Sequence, residues 1–173
     1  MEEAEFKVHG KSLFSRIGNR VFHLLARFLP GSKTTRPFFH RLRGVKIGKD
    51  VFIGDDVYLD NEFPEAIEIG DNVQMSIRTI VVAHTRGAGR VIIGKDAFIG
   101  PNSVLVCGAG RTLRIGEGAV VGAGSIITKS VPPRIYVAPP PVEALAKVTV
   151  PIPLANSMEH FWSGLVLLEK KKS

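Results

Sequence analysis

Little in this chain offers a covalent brace, a membrane anchor or a metal cage. Cys107 is the one cysteine among 173 residues, which excludes an intrachain disulfide framework and suits a reducing compartment. No stretch reaches the ~18 apolar residues of a membrane span. The start, Met1 to Glu5, is acidic and has no apolar run ahead of a cleavage site, so no signal peptide is expected and the location reads as cytoplasmic. Of five histidines only His84 falls inside the patterned part of the chain described below. No recognised nucleic-acid-binding motif accompanies the net charge of +7, so a nucleic-acid partner is not expected.

What is present is a repeat. An aliphatic residue followed by a turn residue returns every six positions: Ile47-Gly48, Ile53-Gly54, Leu59-Asp60, Ile69-Gly70, Met75-Ser76, Val81-Val82, Ile93-Gly94, Ile99-Gly100, Leu105-Val106, Ile115-Gly116, Val121-Gly122 and Ile127-Thr128. Four places later a small or β-branched residue usually stands, as at Val51, Val57, Val73, Thr79, Thr85, Ala97, Ser103, Ala109, Ala119, Ser125 and Val131. A six-residue unit cannot close a core alone, so successive units must stack as a β-solenoid. Extra residues enter only after every third unit, which means three units per turn and insertions at one corner. The spacing predicts a three-sided prism of about four coils. Eighteen glycines and eleven prolines fit its corners, and 45% hydrophobic residues fill its core.

Three segments follow: a basic amphipathic helical segment at 1–43, the solenoid at 44–138, and a proline-rich linker with an apolar helix at 139–173. From Ser12 to Leu29, Leu13, Ile17, Val21, Leu24, Leu25 and Phe28 form a helical stripe, with Arg16, Arg20, His23 and Arg27 on the other side. One reading caps the open solenoid end, which otherwise leaves an unpaired sheet edge. Another rests residues 12–29 on an anionic membrane surface as a peripheral contact. Both hold together if the stripe packs and the basic face points outward. In the tail, Val142 to Lys147 reads as a short helix and Met158 to Leu168 as an apolar one, closed by Glu169 to Lys172.

The six-residue repeat, the Val81-Val82-Ala83-His84-Thr85 segment before a glycine-containing insertion, and the closing run Gly122-Ala123-Gly124-Ser125-Ile126-Ile127-Thr128-Lys129-Ser130-Val131-Pro132-Pro133 resemble the hexapeptide-repeat acyltransferases. Within them the chain looks most like the maltose, galactoside and polysaccharide O-acetyltransferases. The resemblance implies a left-handed parallel β-helix, a homotrimer with sites between subunits, and acetyl-coenzyme A as donor. It implies transfer to a saccharide hydroxyl; an amine acceptor or a non-catalytic trimeric scaffold are the alternatives. The γ-class carbonic anhydrases share the fold but resemble a three-histidine metal site, and one histidine in the repeats argues against any metal.

His84 matches the family's catalytic histidine beside the loop. An imidazole can take a proton from an attacking hydroxyl at neutral pH. Register stacking puts Leu59 under Val81, and hence Glu62 under His84, about one strand spacing of ~4.8 Å away. Glu62 is therefore the first candidate to orient the imidazole, with Asp55 and Asn61 as others and Asp60 beside them. The same stacking puts Cys107 over Ala83 and Gly108 over His84, where a glycine leaves room for a thioester arm. Cys107 reads as a small packed side chain.

For the coenzyme phosphates the candidates are Arg86 and Arg90, flanking Gly87-Ala88-Gly89, with Arg111 and Arg114 in the next insertion. Lys129 stands where the family uses a lysine near the phosphates. Gly122 and Gly124 would allow close approach of the donor to the backbone. Two departures stand out: Ser130 replaces the usual aspartate, and Ala138-Pro139-Pro140-Pro141 replaces the family's Ala-Gly-x-Pro-Ala. Proline lacks an amide donor, so donor contacts there must differ.

Overall fold

The computed structural model describes residues 13–168. Ser12, the Leu13 side chain and Glu169 to Lys172 lie outside the described residues. The chain divides into two units, 1–139 and 140–173.

In the first unit the repeat winds into three parallel sheets. β1 (Lys46–Ile47), β4 (Ile67–Ile69), β7 (Arg90–Ile93) and β10 (Thr112–Ile115) stack on one side. β2 (Phe52–Ile53), β5 (Gln74–Met75), β8 (Phe98–Ile99), β11 (Val120–Val121) and β13 (Tyr136–Val137) form the second. β3 (Tyr58–Leu59), β6 (Ile80–Val82), β9 (Val104–Val106) and β12 (Ile126–Ile127) form the third. Four coils are complete, and β13 begins a fifth.

The register follows the sequence: Ile53 pairs with Met75 and then Ile99, and Leu59 with Val81 and then Leu105. These aliphatics point inward and are buried, as are Val51, Val57, Val73, Ala97 and Ala119 behind them. Thr79, Ser103 and Ser125 are buried too, and each hydroxyl donates to a carbonyl. Thr85 and Ala109 depart from the pattern and are exposed, because there the chain leaves the prism. Val91 and Leu113 re-enter the core in their place.

The repeat needs glycine at its corners because the next coil leaves no room for a Cβ. At Gly100 a Cβ would stand 2.6 Å from the Ala123 amide nitrogen and 2.7 Å from the Val121 oxygen. Both atoms are backbone, so neither can move without shifting a coil.

The open end at the first coil is closed by α1 (Leu13–Phe28) and α2 (Thr35–Leu42). The closure uses the six-residue period itself. Carbonyls at 47, 53 and 59 face the end of the prism with no coil beneath them, and one arginine serves each side. Arg41 donates to the Ile47 and Gly48 oxygens at 3.2 and 2.6 Å. Arg36 donates to the Ile53 oxygen at 3.1 Å and pairs with Asp55. Arg43 donates to the Leu59 and Asp60 oxygens at 3.1 and 2.8 Å. Burial lowers the Arg43 pKa to about 10, still charged at neutral pH. A buried carbonyl left unpaired costs ~1–3 kcal/mol, which gives Arg36 and Arg43 a structural role in the cap.

α1 packs with the opposite face from the one expected. His23 and Ala26 are buried and Asn19 bonds to Asn61, whereas Ile17, Val21, Leu24 and Phe28 are exposed. The cap seeks hydrogen-bonding groups because it meets a strand edge, so the polar face turns inward and the apolar stripe outward. His23 and His40 are thereby buried as neutral imidazoles. Burial above all, then Arg43, lowers His23 to about 4 and His40 well below the usual value.

In the second unit β14 (Ala146–Val148) pairs antiparallel with β15 (Leu165–Leu167), and α3 (Met158–Ser163) precedes β15. The short helix expected over Val142–Lys147 is absent; its last residues are strand. The apolar segment is helical for six residues, opened by Ser157, whose hydroxyl accepts from the His160 amide at 3.1 Å, and then turns at Gly164 into strand.

Candidate active site

The corner between the third and first sides carries every insertion, and four coils present it in turn at residues 60–66, 83–89, 107–111 and 128–131. His84 lies on the second coil. Its backbone bridges antiparallel to Ala88, and the Gly89 amide donates to the Ala83 oxygen at 2.7 Å. The insertion is therefore a tight loop that projects from the prism and returns at once. Gly89 is locked in: a Cβ there would meet the Gly108 oxygen at 2.3 Å.

The His84 Nδ1 lies 2.5 Å from Oδ2 of Asp60, a carboxylate with no solvent exposure, while 37% of the His84 side chain is exposed. Asp60 accepts from four nitrogens. Oδ1 takes the amides of Glu62 and Phe63 at 2.8 and 3.2 Å; Oδ2 takes the Ala83 amide at 2.7 Å beside the imidazole. Three of the four are backbone N–H groups that can only donate, so Asp60 must be an acceptor throughout. Nδ1 of His84 then carries the hydrogen, which in the neutral ring leaves the lone pair on Nε2. Phe63 meets the imidazole edge-to-face, with ring centroids 5.6 Å apart, and so holds the ring from a second direction.

The carboxylate on Nδ1 is that of Asp60 rather than one of the three residues expected to orient His84. Glu62 faces Arg20 of α1, 3.7 Å away. Asp55 pairs with Arg36, and Asn61 accepts from Arg43 and Asn19 in the cap. The register did carry Leu59 onto Val81, but residue-for-residue stacking stops at Asp60. Its Oδ1 caps two following amides, and the chain turns out through a 3-10 turn at Pro64–Ala66. The Asp60 side chain takes the Ala83 amide in place of its own carbonyl, which Arg43 occupies instead. The signal was an aspartate where the other inward-facing units of the first coil, Ile47 and Ile53, are followed by glycine.

Above His84 the next coil stays close. The Cys107 amide donates to the Val82 oxygen and the Ala109 amide to the Thr85 oxygen, so the chain at Gly108 passes over His84 and Thr85. A Cβ at Gly108 would meet only the Thr85 oxygen, at 3.6 Å. Cys107 is buried, its thiol aimed at the Arg111 oxygen 3.2 Å away.

The expected phosphate cations separate into two groups. Arg86, Arg111 and Lys129 rise on successive coils of the His84 corner, Arg86 and Lys129 exposed and Arg111 reaching the Thr128 oxygen at 3.5 Å. Arg90 and Arg114 belong to the first side. Arg90 pairs with Glu68, whose carboxylate the Lys46 ammonium, chiefly, and then Arg90 hold below the usual range against its partial burial. Ser130 bonds the Arg114 amide at 3.0 Å. Gly122 is buried, with Ala138, Tyr136 and Val137 packed where a Cβ would go, and Gly124 adopts a left-handed φ of 70° in open space. A groove of about 290 Å³ bounded by Arg27, Asp56, Tyr58, Arg78, Ile80 and Asn102 opens on the other edge of the third side, away from His84.

Residues 44–75 and 90–129 match the family described as the hexapeptide repeat of succinyl-transferase. YvoF of Bacillus subtilis (strain 168), provisionally named an acetyltransferase, is 29% identical over 134 residues, which cover 75% of this chain and 76% of that protein. A stretch of 68 residues is 48% identical to the bifunctional protein GlmU of Acidithiobacillus ferrooxidans (strain ATCC 53993 / BNL-5-31), covering 38% of this chain but spanning only 14% of GlmU. A hexapeptide-repeat-containing acetyltransferase of Vibrio cholerae has the same fold, with a TM-score of 0.51 at 20% identity over 80% of this chain and 94% of that one.

Proposed function

Starting from a chain that belongs to the hexapeptide-repeat acyltransferase family, we propose that it moves an acetyl group from acetyl-coenzyme A to a saccharide hydroxyl, with His84 as the general base. The observation that carries this reading is the buried Asp60 carboxylate holding Nδ1 of a half-exposed imidazole. Such an arrangement fixes the tautomer, aims Nε2 outward and stabilises the imidazolium that forms during proton transfer.

The reaction divides simply. Nε2 takes the proton of the acceptor hydroxyl as its oxygen attacks the thioester carbonyl. The tetrahedral intermediate expels the coenzyme thiolate, and the imidazolium returns the proton to that sulfur. The open space at Gly108 suits the acyl end of the donor, and Arg86, Arg111 and Lys129 suit its phosphates. A base of this kind contributes ~10²–10⁴-fold; juxtaposing the two substrates supplies the rest.

A homotrimer belongs to the same reading. Outward residues of the second and third sides include Phe98, Tyr136, Ile80 and Ile126, all exposed, while the first side presents Lys46, Glu68 and Arg114. Two apolar outer faces beside a charged one suit burial against further copies.

The test is a panel of sugars, lipid-linked sugars and amines incubated with acetyl-coenzyme A, with thiol release and the position of the new acetyl group as readouts. An O-acetylated saccharide, and its loss in His84→Gln, is the expected result. Transfer only to amines overturns the hydroxyl assignment, and release unaffected by His84→Gln overturns the base.

A further inference from the structure

The outward stripe of α1 has a chemistry that the solenoid cap does not explain. Ile17, Val21, Leu24 and Phe28 lie one turn apart on a single face and are 52, 48, 54 and 66% exposed. Four large apolar side chains in line on a charged surface are a contact surface rather than scatter. Along the sequence around them the charge has one sign. Between Phe6 and Lys49 the chain has eleven lysines and arginines and no aspartate or glutamate. Arg36, Arg41 and Arg43 are consumed by the strand edge and Arg27 by Asp56. Arg16 and Arg20 stand on the exposed surface of α1, Arg20 with Glu62 3.7 Å away, and Lys33 follows in the loop before α2.

We infer that this face of α1 docks on a membrane surface bearing anionic headgroups, with the apolar stripe seated at the acyl boundary and the arginines at the phosphates. An exposed apolar stripe flanked by arginine is the composition of an interfacial helix, and each cation near an anionic leaflet adds to its attraction. The same uniform charge disfavours the competing occupant. A second copy placed stripe against stripe would set two acid-free cationic segments against each other, and like charges in apposition oppose association.

The position of α1 gives the docking a consequence. Its Asn19 bonds to Asn61 at 3.4 Å and its Arg20 reaches Glu62 at 3.7 Å. Those two residues directly follow Asp60, the carboxylate that holds His84. Lipid docking stands whether or not His84 is a base; joined to the transfer reading, it sets the acceptor at a membrane surface and favours a lipid-linked saccharide.

Sedimentation of the whole protein with vesicles tests this. Phosphatidylcholine vesicles with about a third phosphatidylglycerol should carry the protein down, pure phosphatidylcholine vesicles at least tenfold less, and 0.5 M salt should release most of it. Leu24→Asp with Phe28→Asp, and separately Arg16→Gln with Arg20→Gln, should each lower binding to anionic vesicles at least tenfold with an unchanged melting curve. Absence of binding to anionic vesicles overturns the inference, as does binding indifferent to both pairs. It is also overturned if the Asp pair changes the sedimentation coefficient in lipid-free buffer, which would make the stripe a protein interface. Thiol release with a soluble acceptor, unchanged in both pairs, keeps this outcome separate from the fate of His84.

Discussion

Replacing Asp60 with asparagine is nearly isosteric yet sets two requirements of the corner against each other. The carboxylate accepts four N–H groups, two on each oxygen. An amide has one oxygen and one NH2, so one pair of donors must face a donor. If the NH2 turns toward Glu62 and Phe63, two buried amides lose their acceptor at ~1–3 kcal/mol each. If it turns toward His84 and Ala83, one amide is lost, and the imidazole must switch tautomer to accept at Nδ1. Nε2 then carries the hydrogen and cannot act as a base. The second arrangement costs less in stability and more in chemistry, so Asp60→Asn should lose ~10²–10⁴-fold in kcat and about 1–3 kcal/mol in stability. KM for acetyl-coenzyme A should change little. Glu62→Gln is the matched control: Glu62 pairs with Arg20 on α1 while Asp60 holds Nδ1, so this variant should stay within threefold of wild type. Thiol release under saturating donor, beside a denaturant melt, reads both numbers. A folded Asp60→Asn enzyme with wild-type kcat, or a Glu62→Gln enzyme as damaged as Asp60→Asn, refutes the reasoning.

The cap should be acid-sensitive. His23 and His40 are neutral in the fold with lowered pKa values, so the unfolded chain binds protons first and stability falls as pH drops below about 6.5; His23, held near 4, alone accounts for about 3 kcal/mol. Thermal melts from pH 7.5 to 4.5 should show it, with a shallower decline in His23→Gln; a flat profile contradicts the buried neutral assignment. Gly100→Ala should cost ~1–3 kcal/mol because its Cβ meets only backbone, whereas Gly108→Ala should melt like wild type and still lower kcat/KM by crowding the space over His84. Equal melting of the two variants would count against both placements.

The solenoid was legible because its rule is local. An aliphatic residue every six positions, insertions after every third, and glycine where a coil crosses are all set within a few residues, and the pairing of Leu59 with Val81 followed directly. The partner of His84 was not, because it depends on where that rule fails. Asp60 withdraws the chain from the ladder with its own side chain, so arithmetic that assumes stacked corners arrives at Glu62. The cap misled for a related reason. Periodicity identified the apolar stripe of α1, but a helix over a strand edge is chosen for donors to orphaned carbonyls, and no pattern within 13–28 reveals what lies beneath it. Arg36, Arg41 and Arg43 read as undifferentiated charge until the carbonyls at 53, 47 and 59 stand opposite them.

The rate of acetyl-coenzyme A thiol release by His84→Ala, on the best acceptor of the panel and with folding verified by its melt, bears most directly on the proposed chemistry. A fall of at least a hundredfold in kcat/KM, with the donor still bound, is the outcome predicted by an imidazole locked on Asp60. A variant that turns over at the wild-type rate contradicts it.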